Sequence, residues 1–381
     1  MKKILFAFLS TLLCSTQMIA QPATEKAEME IQQIMKTSPV VGMSVAVVKN
    51  NKIIYTHSFG LKNIEKNIPL TDDCIFRIAS ISKSFSATSV MQLIEQGKLS
   101  LDNDVSDLIG FPVRNPKFPN TPITLKLLLS HLSSINDKQG YFTLDSLNPA
   151  KNPNWAISYN DYEPGKGYEY CNLNYNMTGT IIEKISGERF DQYVKHHVLD
   201  PLGLYGGYCV DSLDQSKFAT IYEYNEDGKQ FIHSPNAYAP RSKEIANYTM
   251  GYTTPIFSPT GGMKISATDL AKYMMMHMNY GKYKGGRLMK KKSSIAMQTA
   301  LSEEEHYGFA IENTTKMIDG VPLTGHTGSA YGLFSAMFFQ PQEKFGIVVI
   351  SNGCHPQYIG GYNDVIKRAV NVLYQNLIIA P

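Results

Sequence analysis

Short β-rich runs lie near both ends of the chain. Residues 43–48 and 53–59 are two such runs, and the turn residues Asn50-Asn51 between them predict a β-hairpin. A second group of predicted strands fills the last third, separated by turns such as Asp319-Gly320. This second group covers residues 307–312, 317–318, 321–324, 333–339 and 345–351.

The middle of the chain has helical periodicity instead. After residue 80, Ala87, Met91 and Ile94 share one helical face, and Gly97 marks the predicted end of that helix. The other predicted helices cover residues 25–36, 124–131, 190–198 and 267–280, with a final amphipathic helix over about 364–377. Residues 148–167 are polar, Pro-rich and aromatic, which predicts a loop that lines a cleft.

This order of elements predicts an α+β fold. An antiparallel sheet is built from both chain ends, from about residues 25–80 and 300–381, and is flanked by the terminal helices. A helical subdomain of about residues 81–299 is inserted between the two parts. We therefore treat residues 21–381 as one domain.

Residues 1–20 have the form of a bacterial signal peptide. Lys2-Lys3 precede a short apolar run, and Ala20 offers a small residue for cleavage before Gln21, so we expect a periplasmic or secreted protein. Leu13 is bulky where a lipoprotein signal has a small residue, which argues against an anchor on Cys14. No later apolar run is long enough for a transmembrane helix.

Charge and cysteine content exclude several functions. The formal net charge of +3 falls to about +1 without the leader, so no nucleic-acid partner is indicated. Four cysteines remain after cleavage, at positions 74, 171, 209 and 354, and they form no CxxC pair that would suggest zinc. The oligomeric state and any disulfide pairing are left open by the sequence.

The candidate chemistry centres on Ser80-x-x-Lys83, which occurs once in the chain. A spacing of three residues on a helix places the Lys83 amine beside the Ser80 hydroxyl. A serine needs a neighbouring base to act as a nucleophile, and a lysine can serve when burial lowers its pKa.

Two later segments offer partners for this pair. The first, Tyr170-Cys171-Asn172, follows a Pro-Gly turn and precedes a helix. A tyrosine near a lysine can have a lowered pKa and can pass protons. An asparagine amide can orient a substrate carbonyl or the lysine. His326-Thr327-Gly328 lies between two predicted strands, where His326 and Thr327 offer donors to a substrate and Gly328 permits close backbone approach.

In this order the three elements resemble the serine β-lactamase and penicillin-binding-protein superfamily. The resemblance is closest to the class C β-lactamase-related family, which includes D-alanyl-D-alanine carboxypeptidases, D-aminopeptidases and esterases. It extends from about residue 30 to the C-terminus. The similar flanking segments are residues 76–79, 127–134, 201–204 and 258–262.

The resemblance implies a role for each site residue. Ser80 would be the acylated nucleophile, Lys83 its base and Tyr170 a proton shuttle, while the backbone N–H groups of Ser80 and Ser329 would form the oxyanion hole. Substrate would be bound by Asn172, His326, Thr327, Gly328 and Ser329. No metal or organic cofactor is implied.

Three departures from the family pattern qualify this expectation. Cys171 occupies a position that usually holds serine or alanine, and Ser134 replaces a usual glycine. His326 stands where class C β-lactamases have lysine. The sequence therefore predicts a hydrolase of small peptides or esters through an acyl-enzyme. A β-lactamase, or a penicillin-binding module that is acylated with little turnover, remains the alternative.

Overall fold

A seven-stranded antiparallel sheet forms the centre of the computed structural model, which describes residues 23–379. The strands of this sheet are β1 (Val40–Lys49), β2 (Lys52–Asn63), β3 (Ile68–Pro69), β4 (Glu312–Thr314), β5 (Leu323–Ala330), β6 (Leu333–Gln340) and β7 (Phe345–Cys354). Their spatial order is β4-β5-β6-β7-β1-β2-β3, so strands from the two ends of the chain meet at β1 and β7. The prediction of a sheet built from both ends is confirmed.

Helices fill the long segment between β3 and β4 and flank the sheet. They are α1 (residues 23–37), α2 (Ser82–Glu95), α3 (Val105–Ile109), α4 (Leu125–Leu129), α5 (Asn172–Ser186), α6 (Phe190–Val194), α7 (Asp200–Leu202), α8 (Ser242–Ala246), α9 (Ala267–Met278), α10 (Lys291–Gln298) and α11 (Asp364–Leu373). Outside the main sheet lie short strands at Phe76–Arg77, Gly206–Gly207, Tyr222–Asn225, Gln230–His233, Lys264–Ile265, Lys282–Tyr283, Gly286–Arg287, Tyr358–Ile359 and Tyr362–Asn363. No helix within residues 23–379 is long and apolar enough to cross a membrane.

The sheet is covered on both faces. On one face, Met43, Val45 and Val47 of β1 belong to a core that also contains residues of α1 and α11. On the other face, Ala46 and Val48 belong to the larger core of the inserted helices. Because both faces are buried, the interior of β1 is apolar without the alternation of a solvent-facing strand.

Turn residues account for the boundaries that the sequence predicted correctly. Asn50 and Asn51 have φ angles of 53° and 60°, the left-handed pair that a two-residue hairpin between β1 and β2 requires. The predicted final helix over about residues 364–377 is confirmed as well. It consists of α11 and a π-helix that continues it over Tyr374–Ile379.

Other boundaries were wrong. The predicted helix 124–131 ends at Leu129, and His131 has a φ of 60°, which a helix cannot continue through. Residues 307–311 are irregular because His306 and Ala310 also have positive φ, so only Glu312 begins a strand there. Residues 317–318 lie in a turn before Gly320.

Candidate active site

Ser80 lies on a single 3₁₀ turn, Ala79–Ile81, that leads directly into α2. Ser80 therefore lies two residues before the start of the α-helix at Ser82. Ala79 has a φ of 46°, an unfavourable angle for a residue with a side chain, and backbone strain of this kind is concentrated at functional sites. The turn exposes Ser80 to a cleft of about 780 Å³.

Lys83 is fully buried one turn beyond Ser80. Its Nζ is 3.0 Å from Ser80 Oγ, 2.9 Å from Asn172 Oδ1 and 3.1 Å from the Thr260 carbonyl oxygen. Burial lowers the pKa of Lys83 to about 7, and the nearby carboxylate of Asp137 opposes that shift. The amine is therefore within reach of the Ser80 proton and is substantially neutral near pH 7.

Asn172 begins α5, and its amide is fully engaged by the protein. Asp137 Oδ2 can only accept, so the amide nitrogen of Asn172 faces it at 2.9 Å and the amide oxygen faces Lys83. Thr260 Oγ1 donates to the same amide oxygen at 2.8 Å. Of the two roles considered for Asn172, this geometry favours orienting the lysine.

Tyr170 lies over the same lysine, with its ring centroid 4.7 Å from Lys83 Nζ. Burial raises the pKa of the Tyr170 phenol, and a hydrogen bond with Ser80 opposes this. The expectation of a lowered pKa was wrong, because desolvation of the phenol outweighs the effect of a lysine whose own pKa is lowered to about 7. Tyr170 is therefore a neutral proton donor.

Cys171 points away from the cleft. Its thiol is buried and lies 3.2 Å from Asp137 Oδ1, and burial raises its pKa well above the ordinary value. A thiol in this state is a poor nucleophile. All four cysteines of the described chain are buried and unpaired.

Both ring nitrogens of His326 are occupied by the protein. Nδ1 contacts the Thr327 carbonyl, an acceptor, so Nδ1 carries the proton and Nε2 accepts from the Tyr307 hydroxyl at 2.9 Å. Burial and then Lys83 lower the pKa of His326 to about 4. His326 lines the cleft as a neutral ring without a free donor, contrary to the donor role expected for it.

Thr327, Gly328 and Ser329 follow on β5 along the wall of the cleft. A Cβ on Gly328 would lie 2.2 Å from the carbonyl oxygen of Ile78 and 2.5 Å from Ser335 Oγ. At Gly328 the backbone of β5 therefore comes close to the segment just before the nucleophile.

Arg77 also faces the cleft, but its guanidinium is committed. It donates to the carbonyl oxygens of Gly261 and Ala237 and to Ser258 Oγ, over distances of 2.8–3.3 Å. Only 6% of the residue is exposed. Arg77 thus fixes the loop that carries Thr260, and burial lowers its pKa.

The sequence did not identify Asp137, Thr260 or Tyr307, which hold Asn172, Lys83 and His326 in place. Thr260 lies in the flanking segment 258–262, where no role was assigned to it, and Asp137 and Tyr307 belong to no spaced motif. The predicted cleft loop was also misplaced, since Tyr141 and Phe142 line the cleft and residues 148–167 do not. Across residues 23–379, no group of three or more His, Cys, Asp or Glu side chains is arranged to hold a metal ion.

The Beta-lactamase family model matches residues 28–370. The chain belongs to the β-lactamase family.

Relatives and solved structures agree with this family. "Protein flp" of Staphylococcus aureus (strain MW2) is 25% identical over 331 residues, which is 84% of this chain and 61% of the relative. The chain thus spans about three fifths of the length of that relative. The octameric penicillin-binding protein homologue from Pyrococcus abyssi is 26% identical with a TM-score of 0.72, covering 92% of this chain and 77% of that one. EstCE1, described as a hydrolase with promiscuous acyltransferase activity, has the same TM-score at 22% identity, covering 92% and 99%.

Proposed function

We propose that this β-lactamase-family chain hydrolyses small esters or peptides through an acyl-enzyme on Ser80. The observation that carries the proposal is the 3.0 Å contact between Lys83 Nζ and Ser80 Oγ, with the Lys83 pKa lowered to about 7. When the pKa of a base lies near the working pH, a useful fraction of the base is deprotonated, and that fraction still binds a proton strongly enough to act.

The hydrogen bonds around Lys83 define how the base acts. A neutral amine has two N–H groups and one lone pair. Asn172 Oδ1 and the Thr260 carbonyl can only accept from it, so they take the two N–H groups and the lone pair points to the Ser80 hydroxyl. Lys83 then accepts the Ser80 proton as Oγ attacks the substrate carbonyl.

The remaining steps use groups along the cleft. The backbone N–H groups of Ser80 and Ser329 stabilise the oxyanion, and the neutral Tyr170 phenol gives its proton to the leaving group as it takes up the Ser80 proton from the Lys83 ammonium. Thr327 lines the wall between them and contacts the substrate. Water then hydrolyses the acyl-enzyme by the reverse proton path.

The substrate preference follows from His326. Position 326 supplies no fixed positive charge, because the ring is neutral and both nitrogens are engaged. A carboxylate beside the scissile bond is therefore held weakly, which favours esters, or D-amino-acid peptides whose leaving group has no free carboxylate, over β-lactams. EstCE1, described as a hydrolase with promiscuous acyltransferase activity, is similar in fold.

Ser80→Ala tests the mechanism. The variant should lose labelling by a fluorophosphonate and all hydrolysis of a p-nitrophenyl ester, while its melting temperature stays close to that of the native protein. Ser84→Ala, a buried serine one turn later, is the matched control and should still be labelled. Labelling that persists in Ser80→Ala would refute the proposal.

The substrate preference is tested by comparing kcat/KM for nitrocefin, a p-nitrophenyl ester and a D-Ala-D-Ala peptide. We expect the p-nitrophenyl ester, which has no carboxylate beside the scissile bond, to be the best of the three substrates. His326→Lys should shift preference toward nitrocefin and the D-Ala-D-Ala peptide, which both carry one. A native enzyme that prefers nitrocefin would instead be a β-lactamase. Rapid labelling by penicillin without turnover would identify a penicillin-binding module.

We also propose that the protein is exported to the periplasm or beyond. The leader at residues 1–20, including Cys14, lies outside the described residues, and the proposal is supported by its basic and apolar sequence. Mass spectrometry should find a mature N-terminus near Gln21; a lipid-modified Cys14 would contradict this.

A further inference from the structure

A second cavity, separate from the active-site cleft, is lined by lysines. Its volume is about 790 Å³, and none of its lining residues is Asp, Glu or Arg. The lysines come from β2, from α9 and the hairpin after it, and from the turn between β6 and β7; they are Lys52, Lys272, Lys282, Lys284 and Lys344. We call this site the basic cavity. Like charges gathered around one cavity repel one another, so an anion bound there is favoured.

Most of this positive charge is not neutralised by the protein. Lys272 is paired, because its Nζ lies 2.6 Å from Asp269 Oδ1. The other lysines of the wall are different. Within residues 23–379, the side chains of Lys52, Lys282 and Lys284 form no hydrogen bond or ion pair, and all three residues are exposed. Their ammonium groups are therefore free to contact a ligand.

The protein holds the amine of Lys344 in place at the wall of the cavity. Its Nζ donates to the Met278 carbonyl oxygen at 3.0 Å and to Asn279 Oδ1 at 3.2 Å. An ammonium group has three N–H donors, so one remains for a ligand. The neighbouring Glu343 does not line the cavity. Burial, and then Glu343, raise the pKa of Tyr374, so this carboxylate lies toward the α11 side of the sheet.

The residue types around the basic cavity favour phosphate as the anion. Arginine recognises a carboxylate through two parallel hydrogen bonds, and no arginine lines the cavity. Lysine binds phosphate as a point charge. A phosphate monoester carries a charge of about −2 and three acceptor oxygens, so it can contact more than one lysine. Several phosphate groups together would offset the four unpaired lysines.

The basic cavity and the active-site cleft lie at opposite ends of the sheet. Lys344 is in the turn between β6 and β7, whereas Tyr331, in the turn between β5 and β6, lines the cleft. The eight residues of β6 separate the two turns by roughly 26 Å. A ligand in the basic cavity therefore leaves the approach to Ser80 open.

We propose that the basic cavity binds several phosphate groups at once, presented by one ligand or by a lipid surface, and so holds the protein there while its cleft stays open. This inference goes beyond the proposed function and does not depend on chemistry at Ser80.

The test measures binding of two phosphate probes at physiological ionic strength. Tripolyphosphate is the soluble probe, followed by titration calorimetry. Vesicles that contain phosphatidylglycerol are the lipid probe, followed by co-sedimentation and compared with vesicles of phosphatidylcholine alone. Binding to either probe supports the inference, and the probe that binds more tightly identifies the source of the phosphate as a soluble ligand or a lipid headgroup.

A triple variant removes the three free lysines of the cavity: Lys52→Gln, Lys282→Gln and Lys284→Gln. Because all three side chains are exposed and unpaired, the variant should fold as the native protein does. A lysine near an anionic lipid surface contributes roughly fivefold to binding. We therefore expect the triple variant to bind the preferred probe at least about tenfold more weakly.

A matched control removes the same charge from exposed positions outside the cavity. It carries Lys66→Gln, Lys126→Gln and Lys229→Gln, and it should bind as tightly as the native protein. An equal loss in both triple variants would show an effect of net charge alone and would overturn the inference. Native protein that binds neither probe would overturn it too. Citrate, whose charges lie on carboxylates, should bind more weakly than tripolyphosphate, and equal binding would contradict the assignment to phosphate.

Discussion

Lys83 is surrounded by acceptors that decide its protonation state. Two of them, Asn172 Oδ1 and the Thr260 carbonyl, can only accept hydrogen bonds from the amine. The Ser80 hydroxyl can either accept a hydrogen bond from the amine or donate one to it. The ammonium form donates to all three, whereas the neutral form accepts from Ser80. The titration of one residue therefore controls whether the nucleophile has a base.

This control predicts a pH dependence. With a pKa lowered to about 7, Lys83 is charged and inactive as a base below that pH and neutral above it. We expect kcat/KM for methyl propionate to fall as the pH falls through about 7 and to reach a plateau above it. His326 does not contribute in this window because its pKa is lowered to about 4.

Lys83→Arg is the matched variant, since arginine stays charged throughout this range. It should lose about 10²- to 10⁴-fold in rate, the usual contribution of a general base, and show no rise near pH 7. A native profile that is flat between pH 5 and 9 would contradict the role of Lys83.

Single residues also show what the sequence could predict. Ser80 lies one turn before Lys83, as their spacing predicted, and Tyr170 and Asn172 lie at the start of α5. The contact that joins the two pairs, between Lys83 Nζ and Asn172 Oδ1, is tertiary. Ser134 stands where the family usually has glycine, and no role was assigned to that glycine from the sequence. Its φ of 63° is an angle that favours glycine. Asp137, Thr260 and Tyr307 act through tertiary contacts alone, which no local pattern records.

At the scale of elements, β5 is held against the turn that carries the nucleophile. Gly328 allows its backbone to approach Ile78, and Ser335 Oγ on the neighbouring β6 donates to the Ile78 carbonyl at 3.1 Å. The strand and the turn form the two walls of the cleft. The sequence predicted residues 326–328 to lie between two strands, whereas they lie within β5, and it did not predict the contact between this strand and the turn.

Gly328→Ala should disturb this contact. The new Cβ would lie 2.2 Å from the Ile78 carbonyl oxygen, so β5 must move away from the turn. We expect a loss of about 1–3 kcal/mol in stability from overpacking. A displacement approaching 1 Å at the cleft should cost about 100-fold in kcat.

Gly207→Ala is the control for this substitution. Gly207 is also a strand glycine, but the nearest atom to its added Cβ is Leu213 Cδ2 at 3.8 Å. Urea unfolding and ester kinetics should leave Gly207→Ala close to the native protein. If the two substitutions changed stability and kcat equally, the close contact of Gly328 with the nucleophile turn would have no effect of its own.

At the scale of the whole molecule, the sheet separates two cores. The cleft and its catalytic groups lie on the side of the inserted helices, and α1 and α11 cover the other face. Stability that comes from α1 should therefore be separable from chemistry at Ser80.

Ile31→Ala tests this separation. Ile31 is fully buried under the sheet, so its truncation should cost about 2–5 kcal/mol in the free energy of unfolding. The kcat of the folded variant should stay within twofold of the native value. Met29→Ala, at a residue of the same helix that is 70% exposed, should leave both unfolding and kcat unchanged. A large fall in kcat for Ile31→Ala would mean that the two cores are coupled.

The pairing of β1 with β7 also sets an order of events during synthesis. The hairpin of β1 and β2 can form early, but the other edge of β1 has no partner until Phe345–Cys354 emerges. Such long-range pairing is slow, and an open strand edge invites association with other chains. The wall formed by β5 is also translated late. A nascent chain therefore carries Ser80 and Lys83 long before it encloses them, and it gains hydrolytic capacity only after its C-terminal strands have joined the sheet.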